Sequence, residues 1–195
     1  MIRMTETEND DRNIILIGYR GTGKTSVGQE LARRLHRPFH DTDVLIEKRE
    51  GRSIRDMVAR EGWAFFRERE RAAISSLDGL RRCVLATGGG AVLDPKNAEV
   101  LKSLGWVVLL TASEEIIVRR ILNDPASREQ RPSFSGKAST EISEETMRKE
   151  TTEILKQRMP IYRVLADQII DTSQISTAEI VDEILRRFQS QRFNV

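Results

Sequence analysis

The chain has 195 residues, 38% hydrophobic and 32% charged, which suits one soluble globular domain and argues against a disordered chain. Thirty-two basic residues face 30 acidic ones, and a net charge of +2 supplies no general attraction to nucleic acid or to an anionic membrane. A single cysteine, Cys83, excludes an intrachain disulfide, and no apolar run reaches the length of a membrane-spanning helix.

Residues 1–12, MIRMTETENDDR, are polar and acidic and lack the apolar stretch of a signal peptide. They are expected to form a loose tail ahead of one domain over 13–195, in a cytoplasmic protein. NIILIG (13–18) is a continuous apolar run, as in a strand buried on both faces. It leads into Gly18-Tyr19-Arg20-Gly21-Thr22-Gly23-Lys24-Thr25, which fits G-x-x-x-x-G-K-[ST] and opens a helical pattern over 24–35. Between a strand and a helix, such a loop turns backbone amides toward phosphate oxygens. Lys24 is placed to reach the β- and γ-phosphates of a nucleotide, and Thr25 to ligate Mg²⁺.

PFHD (38–41) is a weaker strand candidate, followed by helical patterns over 43–60 and 62–79. Asp41 and Asp43 are two apart, so in extended backbone both face one way. Beside a phosphate loop, one carboxylate can hold a metal's water shell and the other can orient or deprotonate a hydroxyl. Asp43 is also a candidate cap for a helix starting at Val44. In FFRERE, Arg67 read alone is a solvated helix charge, and so is Arg158 in QRMPIY. A guanidinium is also the group that clamps a carboxylate through two parallel hydrogen bonds.

CVLAT (83–87) is a third strand, with Cys83 as a small buried side chain. It ends in Gly88-Gly89-Gly90, at the carboxyl end of a strand where sites of parallel sheets gather. Three glycines there leave space and exposed amides for a substrate close to the backbone. A helix over 95–104, a strand WVVLL (106–110) and a helix over 114–122 follow. Residues 123–140 hold two prolines, one glycine, four serines and two arginines with no periodicity, and are expected to form a mobile lid. Helices over 142–158 and 177–191 flank a last strand, DQIID (167–171). Strands alternating with helices imply a parallel sheet covered on both faces.

GYRGTGKTSVG, DTDVLIEKREGRSI, FFRERE, ATGGGAV, RPSF, QRMPIY and ADQIIDT together resemble the shikimate kinase family, over about Asn13 to Thr172. The resemblance implies an α/β, three-layer P-loop kinase fold, with a five-stranded parallel sheet in order 2-3-1-4-5. It implies Mg²⁺-dependent transfer of the ATP γ-phosphate to the 3-hydroxyl of shikimate, a step toward chorismate and the aromatic amino acids. Carried over by residue, Gly21, Thr22, Gly23, Lys24, Thr25 and Ser26 cradle ATP. Thr25 and, through water, Asp41 hold the metal. Asp43 binds the shikimate hydroxyls and is the expected base. Arg67 and Arg158 clamp the carboxylate, and Gly88, Gly89 and Gly90 complete that pocket, Gly89 foremost. The acceptor-binding region then spans about 41–75, and Arg131 meets the transferring phosphate from the lid.

Several features go beyond the shared pattern. Trp63 stands where the family usually carries glutamate, and should alter local packing or the pocket rim. The stretch 119–131 is longer than usual, leaving Arg120 and Arg128 as candidates to stack near adenine, which the loop after Thr172 should border. Glu70 is a candidate partner for Arg67 or Arg158. No nucleic acid or membrane partner is expected, and fold-level analogy suggests a monomer. Two other readings stay open at this point: a kinase for another small molecule, and a nucleotide-binding module without catalysis. A motor or switch GTPase fits less well, since no separate acidic metal-binding strand and no N-K-x-D is present.

Overall fold

In the computed structural model, which describes residues 11–124 and 143–191, Asn13–Ile17 forms strand β1 and is buried along its whole length. Its side chains alternate between two cores, as the twofold period of a strand requires. Ile14 and Leu16 pack with Val27, Leu31 and Leu35 of helix α1 (Lys24–Leu35) and with Ile180, Ile184 and Phe188 of α7 (Thr177–Ser190). Ile15 and Ile17 face the opposite core. There they meet residues of α3 (Ile54–Ser75), α4 (Pro95–Leu104), α5 (Glu114–Asn123) and α6 (Glu144–Leu165). The remaining strands are β2 (Phe39–Asp41), β3 (Val84–Ala86), β4 (Gly105–Thr111) and β5 (Gln168–Asp171).

All four pairings are parallel, in the order β2-β3-β1-β4-β5. This is the expected 2-3-1-4-5 sheet with helices on both faces. It brings the ends of all five strands to one edge, and the phosphate loop follows the central one.

The helix boundaries differ from expectation after β2. The pattern over 43–60 divides into α2 (Thr42–Glu50) and the first part of α3. Gly51, at φ 66, closes α2, and the Ser53 hydroxyl accepts the Asp56 amide to start α3. Helix α3 ends at Ser75 rather than 79, and Gly62 interrupts it with φ 83 and ψ 174. α2 and α3 have a small core of their own: Ile46, Ile54, Met57, Phe66 and Ala73.

Helix α6 was expected to end at 158 but runs on through Pro160 to Leu165. Proline costs the helix one N–H bond. Beyond it, Tyr162 is 1% exposed in the main core, and this tertiary anchor holds the last turns in place.

Cys83 lies just before β3, fully buried, and burial pushes its thiol up to about 11. No helix among the described residues is long and apolar enough to cross a membrane.

Asn13 is a buried polar side chain where the apolar pattern begins. Its Nδ2 donates to the carbonyls of Leu80 (2.6 Å) and Leu104 (2.8 Å), and its Oδ1 accepts the Cys83 amide (3.1 Å). It thereby closes the edge of the sheet remote from the phosphate loop. Asn13→Ala strands two buried backbone groups, the Leu104 carbonyl and the Cys83 amide, and should cost about 2 kcal/mol or more. Urea unfolding with an unchanged m-value checks this; a midpoint equal to wild type would refute it.

Candidate active site

The phosphate loop is built against its neighbours by its carbonyls. Lys24 Nζ donates to the carbonyls of Gly18 and Tyr19, both at 2.8 Å. Thr22 Oγ1 donates to Tyr19 O (2.7 Å), Arg120 Nη1 to Gly21 O (3.1 Å), Thr172 Oγ1 to Thr22 O (3.1 Å) and the Val27 amide to Gly23 O (2.9 Å). With these carbonyls occupied by protein donors, the loop offers an anion its amides. Gly23 precedes α1 at φ 90 with no side-chain cap, and the first turn of α1 holds no acidic residue. The positive end of the helix is therefore not neutralised by the chain itself.

A cavity of about 440 Å³ opens over this loop. Arg20 to Val27 form its floor, Asp41, Asp43, Thr87 and Gly89 one wall, and Arg120, Thr172, Ile175, Thr177 and Ile180 another. All six expected ATP residues, Gly21 to Ser26, line it.

Asp41 and Asp43 both line this cavity, though not by strand alternation. Asp41 ends β2 and caps α2, its Oδ1 accepting the Asp43 amide at 3.0 Å. Asp43 sits inside the first turn of α2, so the expected cap at Asp43 belongs to Asp41 instead. Thr25 Oγ1 donates to Asp41 Oδ2 at 3.1 Å. Burial first, and then the charge of Asp43, pushes the Asp41 carboxyl above its ordinary value, against the hydrogen bonds it accepts. Two carboxylates beside a hydroxyl at a phosphate cavity suit a hard divalent cation with oxygen ligands.

The glycine triplet divides its duties. The Gly88 amide already donates to Thr42 Oγ1 at 2.9 Å, which corrects the expectation of free amides at that position. Gly89 lines the cavity, and its carbonyl accepts Arg158 Nη1 (3.1 Å) and the Tyr162 hydroxyl. Gly90 lies on the Arg67 guanidinium, where a Cβ would come within 2.4 Å of Nη2. Arg67 and Arg158 thus stand against the triplet rather than in the cavity over the phosphate loop.

Arg67 is held on several sides. Its Nη1 donates to Glu70, which is fully buried, so Glu70 pairs with Arg67. Its Cζ lies 5.2 Å from the Phe66 ring and 5.5 Å from the Trp63 ring. Trp63 packs edge-on against Phe66 (5.9 Å, 78°). The unusual aromatic therefore joins the small core of α2 and α3 and flanks the guanidinium.

Residues 20–189 match the family model for shikimate kinase. The chain belongs to the shikimate kinase family. It is 38% identical over 177 residues to a shikimate kinase of Caldanaerobacter subterraneus subsp. tengcongensis, covering 91% of this chain and 96% of that one. A shikimate kinase of Methylococcus capsulatus is 40% identical over 178 residues, covering 91% and 93%. The structure of shikimate kinase from Acinetobacter baumannii in complex with shikimate superposes with a TM-score of 0.84 at 34% identity, over 96% of this chain and 98% of that one.

For a shikimate kinase family member, several cavity residues were not singled out from the sequence. Arg20 occupies a variable position of the motif; its place as a cation inside that motif was the available signal. Ile175 lies in the loop after Thr172 that was expected to border adenine, and Thr177 and Ile180 follow it on α7; none was named singly, since they carry no chemical signature of their own. Of the two adenine candidates, Arg120 is tied down by Gly21 O and by Thr172, through Thr172 Oγ1 (2.9 Å) and Thr172 O (2.7 Å). Arg128 and Arg131 lie outside the described residues, as does the expected lid from 125 onward.

Because the Asp41 carboxyl is raised in the folded state, its ionised form opposes folding, and the stability it contributes is lost as pH rises through its folded pKa. Asp41→Asn keeps a cap for α2 and removes that charge. The variant should melt above wild type at neutral pH, with the gap shrinking as the pH falls through the raised pKa. Thermal melts across an acid-to-neutral series decide this; a gap independent of pH would contradict it.

Proposed function

We propose that the chain transfers the γ-phosphoryl group of ATP to the 3-hydroxyl of shikimate, giving shikimate 3-phosphate and ADP. One observation carries the reading. The phosphate loop, the Asp41/Asp43 pair and Gly89 share one cavity, and Gly89 and Gly90 are backed by two arginines suited to a carboxylate.

Gly21 to Ser26 receive the nucleotide phosphates on the amide side of the loop. Lys24, now on the Gly18 and Tyr19 carbonyls, is close enough to exchange them for the more strongly attracting β- and γ-phosphate oxygens. Thr25 and Asp41 would hold Mg²⁺, Asp41 through water; when bound, the ion neutralises charge on the phosphates. Arg67 and Arg158 take the acceptor's carboxylate, and the buried Glu70 keeps the Arg67 guanidinium in place.

Asp43 holds the acceptor hydroxyl and accepts its proton as the oxygen attacks. The new O–P bond forms as the bond between the γ-phosphorus and the β–γ bridging oxygen breaks, and ADP leaves. Arg131 enters this reading only through the family resemblance, as the cation that meets the transferring group. The same reading takes 13–195 as one kinase domain with 41–75 as its acceptor region, a cytoplasmic monomer with no nucleic acid or membrane partner.

A coupled ADP-release assay with Mg-ATP, with and without shikimate, tests the proposal directly. ADP release should depend on shikimate; release at the same rate without it would sink the reading. Asp43→Asn should lower kcat by about 10²- to 10⁴-fold while ATP binding, followed by calorimetry, persists. Arg67→Ala should raise the KM for shikimate by about 10- to 100-fold. Unchanged KM and kcat in that variant would remove Arg67 from the clamp.

A further inference from the structure

We propose that Tyr162 is a positioning residue of the acceptor site, acting through the Gly89 carbonyl to hold Arg158; this rests on the kinase reading above. Arg158 and Tyr162 are four residues apart on α6 and so project from one face of the helix. Both reach the same oxygen. Arg158 Nη1 donates to Gly89 O at 3.1 Å, and the Tyr162 hydroxyl donates to it as well. A carbonyl oxygen has two lone pairs, and here each has a donor from α6.

The Gly89 peptide is also tied to the donor side of the site. A Cβ on Gly89 would lie 3.3 Å from the Arg20 nitrogen and 3.5 Å from Gly18 O, so the peptide rests directly on the phosphate loop. It is the one described backbone unit that touches the phosphate loop, lines the nucleotide cavity and receives Arg158. The Arg158 guanidinium has a second neighbour in Tyr19, whose ring centroid is 5.8 Å from Cζ. The direction of the Gly89 carbonyl therefore sets where the guanidinium sits relative to both substrates.

Tyr162 is suited to fix that direction. It is 1% exposed, and its ring is part of the main core, so the hydroxyl is delivered from a rigid base. Pro160 stands between the two donors and interrupts the hydrogen-bond ladder of α6. The bond lost there is the one from position 160 to the Lys156 carbonyl, and the shared acceptor ties Arg158 and Tyr162 together across that turn. Without the hydroxyl, Gly89 O keeps Arg158 Nη1 but loses the donor anchored in the core, and guanidinium and peptide lose a shared restraint.

Tyr162→Phe removes the hydroxyl and keeps the ring in the core. The variant should raise the KM and the calorimetric Kd for shikimate by about three- to tenfold, the range of one lost hydrogen bond. The KM for Mg-ATP and the melting temperature should stay close to wild type. Because Tyr162 acts through Arg158, the same substitution in an Arg158→Ala background should change the shikimate Kd by less than about twofold.

A wild-type KM for shikimate in Tyr162→Phe would overturn the inference. So would an undiminished effect in the Arg158→Ala background, or a matching rise in the KM for both substrates with a lower melting temperature. Wild-type protein that shows no shikimate-dependent turnover would overturn the kinase reading itself. Turnover in wild type with no change in Tyr162→Phe overturns only this step.

Discussion

Gly18 leaves β1 at φ 137, and a Cβ there would lie 2.3 Å from the Leu110 carbonyl oxygen of β4. Only a residue without a side chain lets the chain turn over the sheet so closely. The loop that follows is then sealed from behind, its Tyr19, Gly21, Thr22 and Gly23 carbonyls taken by Thr22, Arg120, Thr172 and the Val27 amide. A donor-rich surface for an anion results from this one-sided consumption of acceptors. Arg120 belongs to α5 and Thr172 directly follows β5, so the sheet must be assembled in order before the loop is complete. The phosphate site is a property of the whole fold and not of the eight-residue motif by itself.

The surroundings of Arg67 obey a different constraint. Arg67 is a partly exposed cation whose carboxylate partner, Glu70, is fully buried. A buried carboxylate without its partner is costly, so the pair moves as a unit and the guanidinium keeps one place. The aromatic rings of Trp63 and Phe66 flank it, and Gly90 leaves room for it. This arrangement rests on the small core of α2 and α3, separate from the two cores that cover the sheet. A chain can therefore vary the surroundings of Arg67 at positions such as Trp63 without disturbing the phosphate loop.

Much of the fold was legible because buried parallel strands leave continuous apolar runs. NIILIG, CVLAT and WVVLL correspond to β1, β3 and β4 within a residue or two at either end. The helix break at Gly51 was missed although its cues, a glycine followed two residues later by a serine, were local. The run of α6 through Pro160 had no local cue, since it depends on the burial of Tyr162 beyond the proline. Asp41 and Asp43 were paired on the premise of a strand, while in the structure one caps a helix and the other lies in its first turn. Both still line the cavity, because a helix N-terminus and a strand C-terminus meet there.

By itself the sequence determined the class of chemistry. A glycine-rich loop between an apolar run and a helix, with lysine and threonine at its end, commits that segment to phosphate through local backbone geometry. It also determined the parallel sheet, since apolar runs alternating with amphipathic helices have few other ways to bury their surface. Which arginines face which glycines, that Glu70 belongs to Arg67, that Gly88 has lent its amide to Thr42, and that Tyr162 shares an oxygen with Arg158 were decided only in three dimensions. These contacts join residues from 3 to 73 positions apart. Their geometry depends on how helices seat on the sheet, and side-chain packing across that distance leaves no periodic trace in the chain.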